Sequence, residues 1–166
     1  TKGLNKLTFS NYPDKYTITV FTPKISSGIS GLEVGSILSD TAGKLWVGYR
    51  EGGISIYDKG NWQKIDETSK NHIMTLIVGP DSRIWVGTDV EGIYTYDVDS
   101  FDKYSFHINK RSGLSSNHIY SLTFDNYGNL WSGSLKGIDK ITFEAKNKIN
   151  NIVNYGNFEG LKGIEI

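Results

Sequence analysis

The sequence predicts an all-β fold: a β-propeller of four-stranded antiparallel blades, about four blades' worth, read as a fragment of a ring of seven or eight. Three observations predict it. A tryptophan motif recurs as Leu45-Trp46-Val47-Gly48, Ile84-Trp85-Val86-Gly87 and Leu130-Trp131-Ser132-Gly133. Apolar, small and turn-forming positions keep step with it at a spacing of about 40 residues, the period of a stacked array. Each unit also divides into four short segments rich in β-branched and aromatic residues and separated by Gly, Asn or Asp, which fits a blade and not a helical hairpin.

The elements follow in chain order. Lys2-Gly3-Leu4-Asn5-Lys6-Leu7-Thr8-Phe9 repeats Lys136-Gly137-Ile138-Asp139-Lys140-Ile141-Thr142-Phe143 nearly residue for residue, so residues 1–27 read as the outer half of a blade. Blades are expected at 28–67, 68–112 and 113–159, and the start of another at 160–166. Gly28-Ile29, Gly113-Leu114 and Gly160-Leu161 open three copies of one inter-blade linker. In each unit the first strand carries an apolar residue twelve positions before the Trp (Val34, Ile73, Ile119) and another nine before it (Ile37, Leu76, Leu122). Between these stand Ser36, Thr75 and Ser121, small and hydroxylated, as strands crowded around a central channel require. Asp40-Thr41-Ala42-Gly43 and Asp125-Asn126-Tyr127-Gly128 supply tight turns, with Asp for the turn amides and Gly for positive φ. Gly79-Pro80-Asp81-Ser82 departs from that pattern and predicts a different turn between unchanged strands. The second strand holds the Trp, the third runs from Gly53, Gly92 or Gly137, and the fourth falls near 62–66, 103–108 and 149–155. Open blade edges and faces predict that the segment alone associates or is unstable.

Composition bounds the function. With 166 residues, 37% apolar and 13% aromatic, the chain can bury a good core. Eighteen basic residues balance eighteen acidic ones without long runs of either sign, which argues against nucleic acid as a partner. The longest apolar stretch, near Ile73 to Val78, is far too short to cross a bilayer, so no membrane contact is expected of this segment. Cysteine is absent, which excludes disulfide staples and thiol chemistry. There is no nucleophile elbow, phosphate loop, HExxH or dinucleotide fingerprint. No catalytic residue, metal or cofactor is therefore expected.

The candidate binding residues sit in two slots. Tyr49-Arg50-Glu51, Asp89-Val90-Glu91 and Leu135-Lys136 form the loops between second and third strands and vary from unit to unit, as specificity loops on a rigid scaffold do. Asn71-His72 and Asn117-His118 occupy one slot just before the first strand, where Asn caps a turn and His packs beside it or meets a ligand. Glu33 and Glu165 stand there in other units, which weakens a metal reading. The alternating carboxylates of Asp97-Val98-Asp99-Ser100-Phe101-Asp102 lack the glycine and closing glutamate of an EF-hand, so a solvated turn is expected. The three in-register tryptophans read as inter-blade packing, whereas Trp62, outside the register, is expected to be partly exposed.

The pattern Gly-Leu-Ser-Ser-Asn-His-Ile-Tyr-Ser-Leu-Thr-Phe-Asp-Asn-Tyr-Gly-Asn-Leu-Trp-Ser-Gly-Ser at 113–134, followed by Lys136-Gly137-Ile138, resembles the two-component regulator propeller repeat. The resemblance implies a propeller, usually seven-bladed, on the extracytoplasmic side of a bacterial membrane. Such propellers serve as the sensor region of a hybrid histidine kinase, many of which respond to glycans, or of some diguanylate cyclases. Residues 155–166 resemble the linker into a late blade. No kinase motif is present, so signalling output is implied by resemblance alone. The expected partners are a small molecule or oligosaccharide and the remaining blades or another copy of the chain. The alternatives are a protein-interaction or dimerisation scaffold and, further off, a propeller enzyme similar to the streptogramin lyases, with His72 and His118 as its candidates.

Overall fold

The four short β-rich segments of each repeat become an antiparallel meander, and the meanders stack. The computed structural model describes residues 3–68, 70–101 and 103–156. The expected blade start at 160–166 lies outside the described residues. Strands β1 (Leu4–Asn11) and β2 (Lys15–Phe21) pair as a two-stranded sheet. The first blade is β3 (Val34–Ser39), β4 (Leu45–Tyr49), β5 (Ile54–Asp58) and β6 (Asn61–Ile65). The second is β7 (Ile73–Val78), β8 (Ile84–Thr88), β9 (Ile93–Tyr96) and β10 (Phe106–Ile108), and the third is β11 (Ser121–Phe124), β12 (Leu130–Ser134), β13 (Gly137–Ala145) and β14 (Lys148–Tyr155). Each four-stranded sheet keeps its strands in sequence order, and neighbouring inner strands lie against one another, β7 on β3 and β4, β11 on β7 and β8.

The hydrophobic core lies between blades. Trp46 clusters with Ile54 and Ile56 of its own blade and with Ile73, Leu76, Tyr94 and Tyr96 of the next. Trp85 repeats this with Ile119, Leu122 and Ile141, and the rings of Phe124 and Phe143 meet it edge-on at 5.3 and 5.6 Å. The glycine two residues after each Trp makes the approach possible. A Cβ on Gly48 would come within 2.3 Å of Ile73 Cγ2, and one on Gly87 within 2.8 Å of Ile119 Cγ2. The small hydroxylated slot faces that glycine across the sheet, Ser36 opposite Gly48, Thr75 opposite Gly87 and Ser121 opposite Gly133. Ser36 also accepts a bond from Leu76 N of the next blade at 3.0 Å. Trp62 is half-buried against Phe21 and Tyr57.

Turn chemistry explains more than turns. Asp40 Oδ1 accepts from the amides of Ala42 and Lys44, while Oδ2 accepts from the Trp46 indole at 2.9 Å. Asp125 does the same for Tyr127, Asn129 and Trp131. The middle turn has the same backbone bonds, Gly79 N to Arg83 O and Ser82 N to Gly79 O, with Ser82 at φ 62 in the glycine place. The expected change of turn is thus confined to side chains. Asp81 now pairs with Arg83 Nε at 2.5 Å, and the buried Trp85 indole N–H lies beside the Asp81 carboxylate without a well-formed hydrogen bond to it.

Two further expectations are corrected. The Asp97–Ser100 bridge makes a tight loop that turns Val98 and Phe101 inward, and Phe101 meets Trp46 edge-on at 5.7 Å. That segment is a lid on the first core and not only a solvated turn. The fourth strand of the second blade shrinks to three residues, while β13 and β14 of the third lengthen because Asn147 at φ 60 lets their pairing continue to Ala145 and Lys148.

Candidate functional site

The β4–β5 and β8–β9 loops and the segments entering β7 and β11 meet on one rim of the stacked blades. Their backbones are stitched together first. Gly53 N donates to Asn71 O and Gly92 N to Asn117 O across consecutive blades, Arg50 N donates to Glu33 O and Asp89 N to His72 O, and Ile119 N donates to Thr88 O. This lattice fixes where the side chains start.

Four of the candidate residues converge on one cleft. Arg50, His72, Asp89 and His118, joined by Met74 and Tyr120, line a cavity of about 310 Å³ beside the inner strands. Asp89 stands between the two imidazoles. Its Oδ1 pairs closely with His118 Nδ1, and its Oδ2 lies 3.7 Å from His72 Nδ1. Side-chain exposure grades from 29% at Asp89 through 33% at His118 to 52% at His72. The Tyr120 ring meets His118 edge-on at 4.4 Å. A carboxylate against Nδ1 keeps a proton on that nitrogen and orients the ring. His118 Nε2 is buried and has no partner.

The other candidates are placed elsewhere. Tyr49 is corrected: its ring is fully buried with Leu4, Ile29 and Val47, because the end of β4 turns into the core before the loop begins. Burial pushes its phenol pKa up, and the nearby Ser55 hydroxyl is engaged with Ser30. Glu51 turns back to accept from Leu32 N at 2.6 Å. Asn71 and Asn117 lend their carbonyls to the inter-blade lattice, and Asn117 Oδ1 also accepts from Lys110 N. Glu91 extends an exposed side chain, its carbonyl bonded to His107 Nε2. Lys136 lies exposed on the third blade, outside the cleft. Met74 and Tyr120 were not among the expected residues. They share one register position with Gly35, and a slot that varies among constant neighbours is the signal that points to them. Among the described residues no cluster of three His, Cys, Asp or Glu could hold a metal ion.

Comparison with known proteins places this geometry in a wider setting. Residues 113–136 match the family described as two component regulator propeller. A search of the curated proteins finds no match. Among solved structures, the extracellular domain of a putative hybrid two component system from B. thetaiotaomicron superposes with a TM-score of 0.72 at 23% identity, covering 87% of this chain and 19% of that one. The extracellular domain of a putative one component system from the same organism also gives 0.72, at 18% identity, covering 95% of this chain and 23% of that one. Virginiamycin B lyase from Staphylococcus aureus gives 0.57 at 18% identity, over 74% of this chain and 41% of that one. The chain therefore spans about a fifth of the first two relatives. These likenesses show a shared β-propeller fold, and residues 113–136 are a two component regulator propeller repeat.

Proposed function

We propose that this chain, with its two component regulator propeller repeat, is part of an extracytoplasmic sensing propeller of a bacterial two-component system, taking a small ligand such as an oligosaccharide at the Arg50–His72–Asp89–His118–Tyr120 cleft. The observation that carries this is the convergence of polar side chains from three consecutive blades on a cavity whose backbone frame is tied down. A rigid scaffold with a few convergent polar groups is the usual construction of a ligand site. Signalling requires that the ligand bind two arrangements of the propeller with different affinity. Those arrangements are expected to differ in how the sensor pairs across the membrane.

A second reading, a protein-interaction or dimerisation scaffold, is favoured by uncovered apolar side chains away from the cleft, namely Leu7, Phe9, Tyr16 and Ile18 on one hairpin face. A lyase-like reading rests on the propeller fold shared with virginiamycin B lyase and on the histidine pair. A thermal-shift screen of the full chain against oligosaccharides, with and without divalent cations, separates the three. A sensor ligand at one hundred times its Kd stabilises by about 2.7 kcal/mol. Silence of a folded sample across the panel supports the scaffold, and cation-dependent turnover supports the lyase.

A further inference from the structure

The two inter-blade cores differ at one corner. In the first, the Phe101 ring meets Trp46 edge-on at 5.7 Å, Val78 and Val98 pack against the same core, and Lys44 Nζ lies 5.7 Å from the Phe101 ring centre. In the second, the register mates of Val78 and Val98 are Phe124 and Phe143, that of Lys44 is Arg83, and that of Phe101 is Lys146. Lys146 is 63% exposed and its Nζ lies 3.6 Å from Asp97 Oδ1, so the side chain in the Phe101 register carries its charge outward. A cavity of about 220 Å³ lies at this corner, with Pro80, Trp85, Phe124 and Phe143 in its wall. It sits by the β7–β8 turn, at the opposite end of those strands from the rim cleft. Gly128 borders it, and a Cβ added there would meet nothing within 4 Å, so that side is open.

The wall is aromatic and held in place. Phe124 and Phe143 meet Trp85 edge-on at 5.3 and 5.6 Å, and the buried Arg83 guanidinium, bonded to Asp81, Thr95 and Asn147, lies 5.3 Å from the indole ring. The charges around the cavity are already paired, Arg83 with Asp81 and Lys146 with Asp97. A ligand bringing a net charge would lose its hydration and find no free opposite charge in exchange. An apolar cavity of about 150 Å³ holds a benzene molecule, so this one has room for a single ring with a short substituent. We infer that the cavity between the second and third blades binds a small neutral aromatic molecule, its ring taking beside Trp85 the place that Phe101 takes beside Trp46. Edge-to-face contacts with three aromatic walls favour such a ring over a saturated one of the same size. The site is separate from the rim cleft and does not depend on the sensing reading.

NMR titration of the full chain with benzyl alcohol, cyclohexylmethanol, benzoate and benzylamine tests this. Benzyl alcohol is expected to shift the Trp85 indole N–H peak, identified by its loss in Trp85→Phe, in a saturable way with a Kd of about 1 mM or tighter. Cyclohexylmethanol is expected to bind about 2–10-fold more weakly, and the two ions at least about tenfold more weakly. Nuclear Overhauser contacts between the benzyl ring and the Phe143 ring are expected to locate the ligand. Ala145→Phe, which sets a ring of the chain's own at the cavity edge, is expected to raise the Kd at least about tenfold with the circular dichroism of the parent retained. A folded protein with no saturable shift overturns the site. Equal affinity for the aromatic and saturated alcohols, or for the alcohol and the ions, overturns the ligand class, and Overhauser contacts to Tyr120 in place of Phe143 overturn the location. Each of these results leaves the reading of the rim cleft as it stands.

Discussion

The glycine after each Trp-X pair is held tightly by the packing of the repeat. At Gly87 an added methyl would sit 2.6 Å from Thr75 Cγ2 and 2.8 Å from Ile119 Cγ2, one from its own blade and one from the next. Neither neighbour is a flexible chain end, so the blades must part. Gly87→Ala is expected to cost about 1–3 kcal/mol, the range for overpacking a core, read as a lower denaturation midpoint at unchanged slope. Asp125 is constrained by charge instead. Desolvation pushes its carboxyl up, but bonds from the Trp131 indole, from Asn129 and from the Tyr127 amide outweigh it and hold the pKa well below the ordinary value of 3.8. A depressed carboxyl stabilises the fold fully above its unfolded pKa and loses that contribution as pH falls below it. Asp125→Ala is accordingly expected to melt below the parent at neutral pH, and the gap to narrow below about pH 4. A gap that stays constant down to pH 2 would contradict the assignment.

At the scale of elements, the middle turn exchanges one latch for another. Where the first and third blades tie the Trp indole to a turn aspartate, the second buries Arg83, 4% exposed, against Asp81, Thr95, Ser105 and Asn147, with its guanidinium 5.3 Å from the Trp85 ring. Partial burial raises the Asp81 pKa, and bonds from Arg83 reverse this and leave it lowered. Asn147 belongs to the β13–β14 hairpin, so the latch joins second and third blades. Arg83→Met removes a paired charge and leaves Asp81 behind. We expect a loss of roughly 2–3 kcal/mol in chemical denaturation, below the 3–5 typical of a fully buried pair because Asp81 is partly exposed. Arg83→Met with Asp81→Asn should recover part of it, since no lone carboxylate then remains. The Asp97–Phe101 loop belongs to this scale as well. Its carboxylates were legible as solvated, and Lys44 Nζ does reach Asp99 at 3.9 Å at the surface. The inward turn of Phe101 was not legible, because its partner Trp46 is 55 residues earlier.

For the whole molecule, among the described residues, the repeat rule that buries Trp46 and Trp85 leaves two apolar faces uncovered. Trp131 is half-buried and borders a shallow cavity lined by Leu122, Ser132 and Ile138 of its own blade. On the first hairpin, Leu7 pairs with Ile18 and Phe9 with Tyr16, all four exposed. Phe9 matches Phe143 in the repeat, the residue that covers Trp85 from the neighbouring blade. The two faces are therefore complementary, cover to covered. The chain alone is expected to self-associate with rising concentration in sedimentation velocity runs, and Phe9→Glu or Trp131→Glu to keep it monomeric. Concentration-independent monomer in the parent would show that these faces tolerate water.

What the sequence determined by itself was everything the repeat enforces locally: an all-β array, strands in a fixed order, Trp46 and Trp85 as inter-blade packing and the candidate loops on one rim. Short β-rich segments, turn aspartates and glycines act over a few residues, so they are visible in the chain. The tertiary structure alone decided which candidates meet. Arg50, His72, Asp89, His118 and Tyr120 come together because blades stack around an axis and place equivalent slots side by side, while Tyr49 one position earlier is carried into the core. It also decided that Ser82 can replace glycine and that Arg83 can replace an aspartate latch. These outcomes depend on distances between residues far apart in the chain, which no local pattern encodes.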